Sequence, residues 1–166
     1  MRKRNACPGF TLIELCFGLA IVGILAGLAI PSLRSALRAS AVRSAVFELA
    51  AGIQQARAGS IVEARPAVLC LSDSAGNCLG NGGPSAAWRS FLEAGGRQSA
   101  LTLRTLPSGV ALYATRPQLT FWPHSLAAST VTLTICDLQN IARPRAIILS
   151  QSGRARVADA APERCP

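Results

Sequence analysis

The sequence predicts an α+β protein: a long N-terminal α-helix, membrane-spanning in its first half, packed on antiparallel β-sheets. Three observations carry this. Residues 10–30 form an apolar run in which Glu14 is the only charge. Apolar positions then keep a helical period to about Val62. From Pro66 onward the pattern changes to short strand-like runs separated by turn residues.

The apolar run of 21 residues corresponds to about 31 Å of helix at about 1.5 Å per residue. That matches a bilayer core of about 30 Å. Arg2, Lys3 and Arg4 precede it and stay on the cytoplasmic side under the positive-inside rule. A carboxylate inside such a segment costs about 2.5–3.5 kcal/mol on insertion scales and implies a partner for Glu14. An ordinary signal peptide needs no such residue, and no small-x-small cleavage site closes the run. A plain single-span anchor is the other simple reading. Pro31 follows and is expected to kink or interrupt the helix. Beyond it Leu33, Leu37, Val42, Val46, Leu49, Ile53 and Ala56 form one apolar face, with Arg34, Arg38, Arg43 and Arg57 mostly between them. This is an amphipathic helix that ends near Val62, before Pro66.

The remaining segments read as strands. Ala67–Leu71 is the first, followed by a Gly/Asn/Ser-rich loop from Ser72 to Pro84 that holds Cys78. Trp88–Leu92 follows. Ala100–Leu106 and Val110–Ala114 read as a hairpin about Pro107-Ser108-Gly109. Leu119–Trp122 is short. Thr130–Cys136 alternates strictly, with Val131, Leu133 and Ile135 on the buried face. Arg145–Leu149 leads through Gln151-Ser152-Gly153 into Arg154–Val157. Trp88, Phe91, Phe121 and Trp122 read as core or sheet aromatics rather than a base-stacking platform. The expected division is 1–9 as a leader, 10–30 and 31–62 as the two halves of the helix, and 63–166 as a β-rich domain.

Without Arg2, Lys3 and Arg4, fourteen basic side chains remain against eight acidic ones, a formal +6, and every remaining basic residue is arginine. A basic balance points to an anionic partner, although excess charge also serves solubility alone. Of the six cysteines, Cys7 lies before the apolar run and Cys16 within it, as an unpaired small hydrophobe. Cys70, Cys78, Cys136 and Cys165 lie in the exported part, and four cysteines allow three connectivities. The favoured pairing is Cys70–Cys78, closing a short loop, with Cys136–Cys165 pinning the tail. Zinc is the alternative, but there is no Cys-x-x-Cys and His124 is the only histidine.

No phosphate loop, dinucleotide fingerprint or metal-ligand cluster appears, and His124 has no nucleophile or carboxylate partner in sequence. No catalytic residue, metal or cofactor is therefore assigned. The tail carries more. Arg154 and Arg156 sit two residues apart, so on a strand they share a face with Cα atoms about 6.6 Å apart. That is close to two phosphate steps of about 3.4 Å along one DNA strand. A three-residue loop with Gly153 left-handed pairs Ser150 with Arg154, Leu149 with Ala155 and Ile148 with Arg156. Ala155 and Val157 then face the core. Arg143 and Arg145 enter the same hairpin, and Arg164 sits beside Cys165. From spacing alone, a merely solvated hairpin face accounts for this pattern better than a binding site.

Gly9-Phe10-Thr11-Leu12-Ile13-Glu14-Leu15 resembles the class III leader junction of type IV pilins and pseudopilins. The whole chain resembles the FimT/GspH group: the leader, the helix ending near Gln54-Gln55-Ala56-Arg57, the Val68-Leu69-Cys70 strand, Trp88 with Phe91, Cys136, and the closing Gly-Arg-x-Arg with a last cysteine. The match is strong at the leader and looser in the middle, where the usual segment after Trp88 is only partly present. The resemblance implies a pilin-like fold, cleavage by prepilin peptidase between Gly9 and Phe10, and N-methylation of Phe10. It pairs Glu14 with the N-terminus of a neighbouring pilin subunit during assembly. It also implies a single-pass inner-membrane protein with a periplasmic domain that passes into an extracellular pilus fibre. The Gly-Arg-x-Arg element, associated with DNA binding in natural transformation in FimT-type pilins, maps onto Gly153, Arg154 and Arg156, with Arg143, Arg145 and Arg164 adding charge. The other implied role is a structural GspH-like pseudopilin of a type II secretion system that does not bind DNA.

Overall fold

The computed structural model describes residues 11–124 and 130–165. The junction expected at Gly9 and Phe10 lies outside them. The chain divides into two units, Met1–Ala36 and Leu37–Pro166; helix α1 (Leu12–Val62) begins in the first and ends in the second.

In the first unit the helix start is set by Thr11. Its hydroxyl accepts the N–H of Glu14 at 3.3 Å, and its carbonyl accepts that of Leu15 at 3.2 Å. This Thr-x-x-Glu spacing is a helix-capping signature, and it satisfies donors that would otherwise lack partners in an apolar setting. The side chains of Leu12, Phe17, Ile24 and Leu28 are exposed, as befits a segment whose solvent is lipid or another apolar surface. Pro31 does not interrupt the helix. Near it the hydroxyls of Ser32 and Ser35 donate to the carbonyls of Ala29 and Ser32, at 2.9 and 2.8 Å.

Among the described residues the second unit holds eight strands: β1 (Ala67–Ser72), β2 (Ala87–Ala94), β3 (Arg97–Thr105), β4 (Val110–Ala114), β5 (Gln118–Phe121), β6 (Val131–Asp137), β7 (Arg145–Leu149) and β8 (Ala155–Asp159). They form two four-stranded antiparallel sheets, ordered β3-β2-β1-β5 and β4-β6-β7-β8. Both sheets turn an apolar face to α1. Val42, Ala45, Val46, Leu49, Ile53 and Ala56 share one core with Leu69, Leu71, Trp88 and Leu119 of the first sheet. Leu112, Leu133, Ile135, Ile147 and Leu149 of the second complete it. At about 25 cal/mol per Å² of apolar surface removed from water, this shared core is the main stabilising term.

Several expectations are corrected here. The buried helical stripe begins at Val42, since Leu33 and Leu37 are exposed. Ala39 is the first helical residue packed against the core. The stretches around Pro107-Ser108-Gly109 do not form a hairpin. β3 pairs with β2 and β4 with β6, so this loop carries the chain from one sheet to the other. The turn that does join neighbours is Gly95-Gly96, with φ of 55° and 78°, conformations glycine adopts without steric cost. Trp88, Phe91 and Phe121 are buried, but Trp122 is 55% exposed, one residue past the end of β5.

Helix and first sheet meet most closely at Gly52. A Cβ there would overlap the six-membered ring of Trp88, and that side chain is fully buried. Gly52→Ala is therefore expected to destabilise the domain by about 1–3 kcal/mol through overpacking, despite the roughly 1 kcal/mol that alanine gains in helix propensity. Thermal unfolding followed by circular dichroism in detergent measures this as a lowered midpoint.

Candidate functional site

The β7–β8 hairpin takes the register expected of a three-residue loop, with Leu149 opposite Ala155 and Ile148 opposite Arg156. The turn closes through Gly153 N–H to the Ser150 carbonyl, 2.9 Å, and Ser150 N–H to the Arg154 carbonyl, 3.1 Å. Gly153 has φ +72°, the left-handed position such a loop demands. The Ser150 hydroxyl adds a second layer. It donates to the Arg154 carbonyl at 3.2 Å and accepts the Arg154 N–H at 3.3 Å.

From below, α1 holds the same turn. Arg57 Nη1 donates to the Gly153 carbonyl at 3.0 Å. At the other end of the second sheet Arg38 Nη1 donates to the Ser108 carbonyl at 2.9 Å. Two helix arginines thus grip the loops at opposite ends of one sheet. The sequence reading placed both on the polar side of the helix. Nothing in the sequence says which distant carbonyl either one reaches, because the contacts span 70 and 96 residues.

Arg154 and Arg156 are exposed, on the face of the hairpin turned away from the core. Among the described residues neither has an ion-pair partner. Arg145 stands on the opposite face, paired across the strands with Asp159, and its guanidinium binds the Asp159 carboxylate. The structure therefore does not bring Arg145 together with Arg154 and Arg156. Arg143 and Arg164 are exposed at the open end of the hairpin. Arg143 lines a cleft of about 370 Å³ there with Asn140, Pro162 and Cys165. Val157, expected on the core face, does share that face with Ile147 but is 52% exposed. It lies on the edge strand, where only Ala155 is packed against the core.

Two disulfides brace this region and the first sheet. Cys136–Cys165 ties the tail to the end of β6, and Cys70–Cys78 closes a short loop on β1. Cys16 is a free thiol on α1. Among the described residues no cluster of His, Cys, Asp or Glu is arranged to hold a metal. His124 lies exposed in a turn.

The β6–β7 loop that presents Arg143 is organised by Asp137. Its carboxylate accepts the N–H groups of Gln139, Ile141 and Ala142 at 3.2, 3.0 and 3.0 Å. Burial pushes the acid's pKa up, but those donors and the charge of Arg38 together hold it below its ordinary 3.8. A depressed folded-state pKa contributes stability that is present above the unfolded pKa and lost as pH falls through the folded one.

The chain matches the family model described as type II transport protein GspH over residues 45–153 and the prokaryotic N-terminal methylation motif over residues 4–30. The chain belongs to the GspH family, which places it among the minor pilins and pseudopilins of type IV pili and type II secretion systems. The apolar half of α1 together with the methylation motif marks a membrane-anchored pilin. The fold is similar to that of the type IV minor pilin FimU of Pseudomonas aeruginosa, at TM-score 0.56 and 19% identity, covering 70% of this chain and 87% of that one. It is also similar to the minor pseudopilin EpsH from the type 2 secretion system of Vibrio cholerae, at TM-score 0.55 and 11% identity, covering 71% and 96%. At these identities the likeness is one of fold. No curated protein matches the chain in sequence.

Two measurements check this geometry. Gly153→Ala should cost about 1–2 kcal/mol, the penalty for an L-residue in the left-handed region, read as a lower unfolding midpoint with an unchanged far-ultraviolet spectrum. Acid titration of unfolding should show stability falling below about pH 4, the ordinary range for an aspartate. In Asp137→Asn that fall should be shallower and the stability at pH 7 lower.

Proposed function

We propose that this protein is a minor pilin of a type IV pilus that binds extracellular double-stranded DNA without sequence preference, through the hairpin turn Gly153-Arg154-Ala155-Arg156. This role serves DNA uptake in natural transformation as well as pilus assembly. One observation carries the reading. Two exposed arginines without ion-pair partners among the described residues are presented from a turn whose backbone is fixed by Gly153, Ser150 and Arg57. Arginine presents a planar fork suited to phosphate oxygens. Such contacts position a protein on a duplex and carry no base information. Arg143 and Arg164 add charge at the open end of the hairpin, while Arg145 supports the strands through Asp159.

In this reading residues 1–9 are a leader cut by prepilin peptidase after Gly9, and Phe10 becomes the methylated N-terminus. Residues 10–30 hold the protein in the inner membrane and later in the fibre, where Glu14 meets the N-terminus of a neighbouring pilin subunit. A carboxylate paired in a low-dielectric core fixes axial register. Residues 31–62 complete the helix and residues 63–166 form the periplasmic domain, which reaches the extracellular fibre on assembly. Many copies along a fibre multiply a weak single-site affinity.

The description of the matched family and the EpsH-like fold favour a second reading, a structural pseudopilin of a type II secretion system without DNA binding. Genomic neighbours and DNA binding separate the two. The full chain in neutral detergent is titrated onto a fluorescent duplex at 50 and 200 mM salt. Binding should weaken steeply with salt, and Arg154→Ala/Arg156→Ala should reduce it at least tenfold while the fold is retained. Absence of binding at the lower salt, or equal binding by the folded double variant, overturns the proposed role of the turn.

A further inference from the structure

A second group of cations lies where α1 ends. A cleft of about 490 Å³ is lined by Arg65, Leu92, Ala94, Arg97, Gln98 and Ser99. Arg65 follows the last helical turn, its N–H reaching back to the Ser60 carbonyl at 3.2 Å. Arg97 opens β3, opposite Ala94, and Ser99 stands opposite Leu92. Antiparallel partners share a face, so Arg97 and Ser99 lie on the same side of the sheet as Leu92, which packs in the core beneath α1. Two arginines from separate elements therefore line one cleft.

Among the described residues no carboxylate lines it. Glu63 and Glu93 are close in sequence, but both are exposed, and among the described residues neither pairs with Arg65 or Arg97. The carbonyls at the end of α1 supply about half a negative charge against two positive ones, so a net positive charge remains. Gln98, opposite Glu93, points to the other face of the sheet, where its side-chain oxygen accepts from Arg89 Nη2 at 3.3 Å. The cleft thus offers two arginines and the hydroxyl of Ser99, a set that recognises phosphate oxygens.

We propose that this cleft is a second phosphate-backbone site for duplex DNA, in addition to the Arg154–Arg156 turn. This deepens the DNA-binding reading and rests on it. Both sites belong to the β-rich unit: Arg57, in the last turns of α1, holds the turn through the Gly153 carbonyl, and Arg65 follows the end of the helix at Val62.

The test is a duplex titration of the full chain in neutral detergent across 50–200 mM salt. It compares wild type, Arg65→Gln/Arg97→Gln and Arg154→Ala/Arg156→Ala, with circular dichroism to confirm each fold. Each phosphate contact contributes about −0.9 to the slope of log affinity against log salt. Loss of two contacts in the cleft should reduce the slope by about 1.8 and weaken binding about tenfold at the lower salt. Arg65→Lys/Arg97→Lys should restore most of the slope, because lysine keeps the charge. Unchanged slope and affinity in the glutamine variant, with the turn variant defective, overturn the cleft and leave the turn standing. A defect in the cleft variant with an intact turn variant supports the cleft and removes the turn. No binding by wild type overturns both.

Discussion

The domain depends on one stripe of α1, from Val42 to Ala56, reaching the apolar faces of two sheets at once. Among the described residues neither sheet draws a comparable core from any other layer, so the helix completes both. Its tightest contact, glycine against the Trp88 ring, fixes how close helix and sheet come. The guanidinium bonds of Arg38 and Arg57 then fix how the second sheet lies along the helix. Residues that interact with solvent at one end of the molecule are held in place by packing within the domain.

That dependence explains why the hairpin turn is a credible place for recognition. A loop carrying two like charges that, among the described residues, have no ion-pair partner pays a repulsion, and a floppy one would relieve it by moving apart. Here Gly153, the Ser150 hydroxyl and Arg57 leave the backbone little freedom. Preorganisation of this kind reduces the entropy lost on binding. The ion pair between Arg145 and Asp159 also sorts the hairpin's charges, with neutralised groups on one face and free cations on the other.

Much of this was legible from residues. The helical period from Val42 to Ala56, the strict alternation of Val131, Leu133 and Ile135, and the loop length before Arg154 each reflect a local rule that tertiary structure obeys. The division into two sheets was not legible. Pro107-Ser108-Gly109 has the chemistry of a hairpin turn, yet turn chemistry does not say whether the flanking strands pair with each other or leave for different sheets. Gly95-Gly96 carries an equally good signal, and β3 follows it to β2. The exposure of Leu33, Leu37 and Trp122 was missed for a related reason: an apolar residue in a periodic position is buried only where another element arrives to cover it. Arg57 and the Arg65–Arg97 cleft depend on contacts that local pattern does not encode.

Strand β8 closes the second sheet and, among the described residues, has no neighbour on its far side. Its outer N–H and C=O groups form a row onto which another extended chain could add. Val157, half out of the core, would give such a strand an apolar foothold. Arg156 and Asp159 flank that foothold with charge, the usual guard of an exposed edge. Arg156 on this edge strand therefore disfavours edge-to-edge pairing of one domain with another. Substitutions that remove charge at Arg154 and Arg156 also lower this barrier to self-association, so self-association must be monitored separately from ligand binding when such variants are compared.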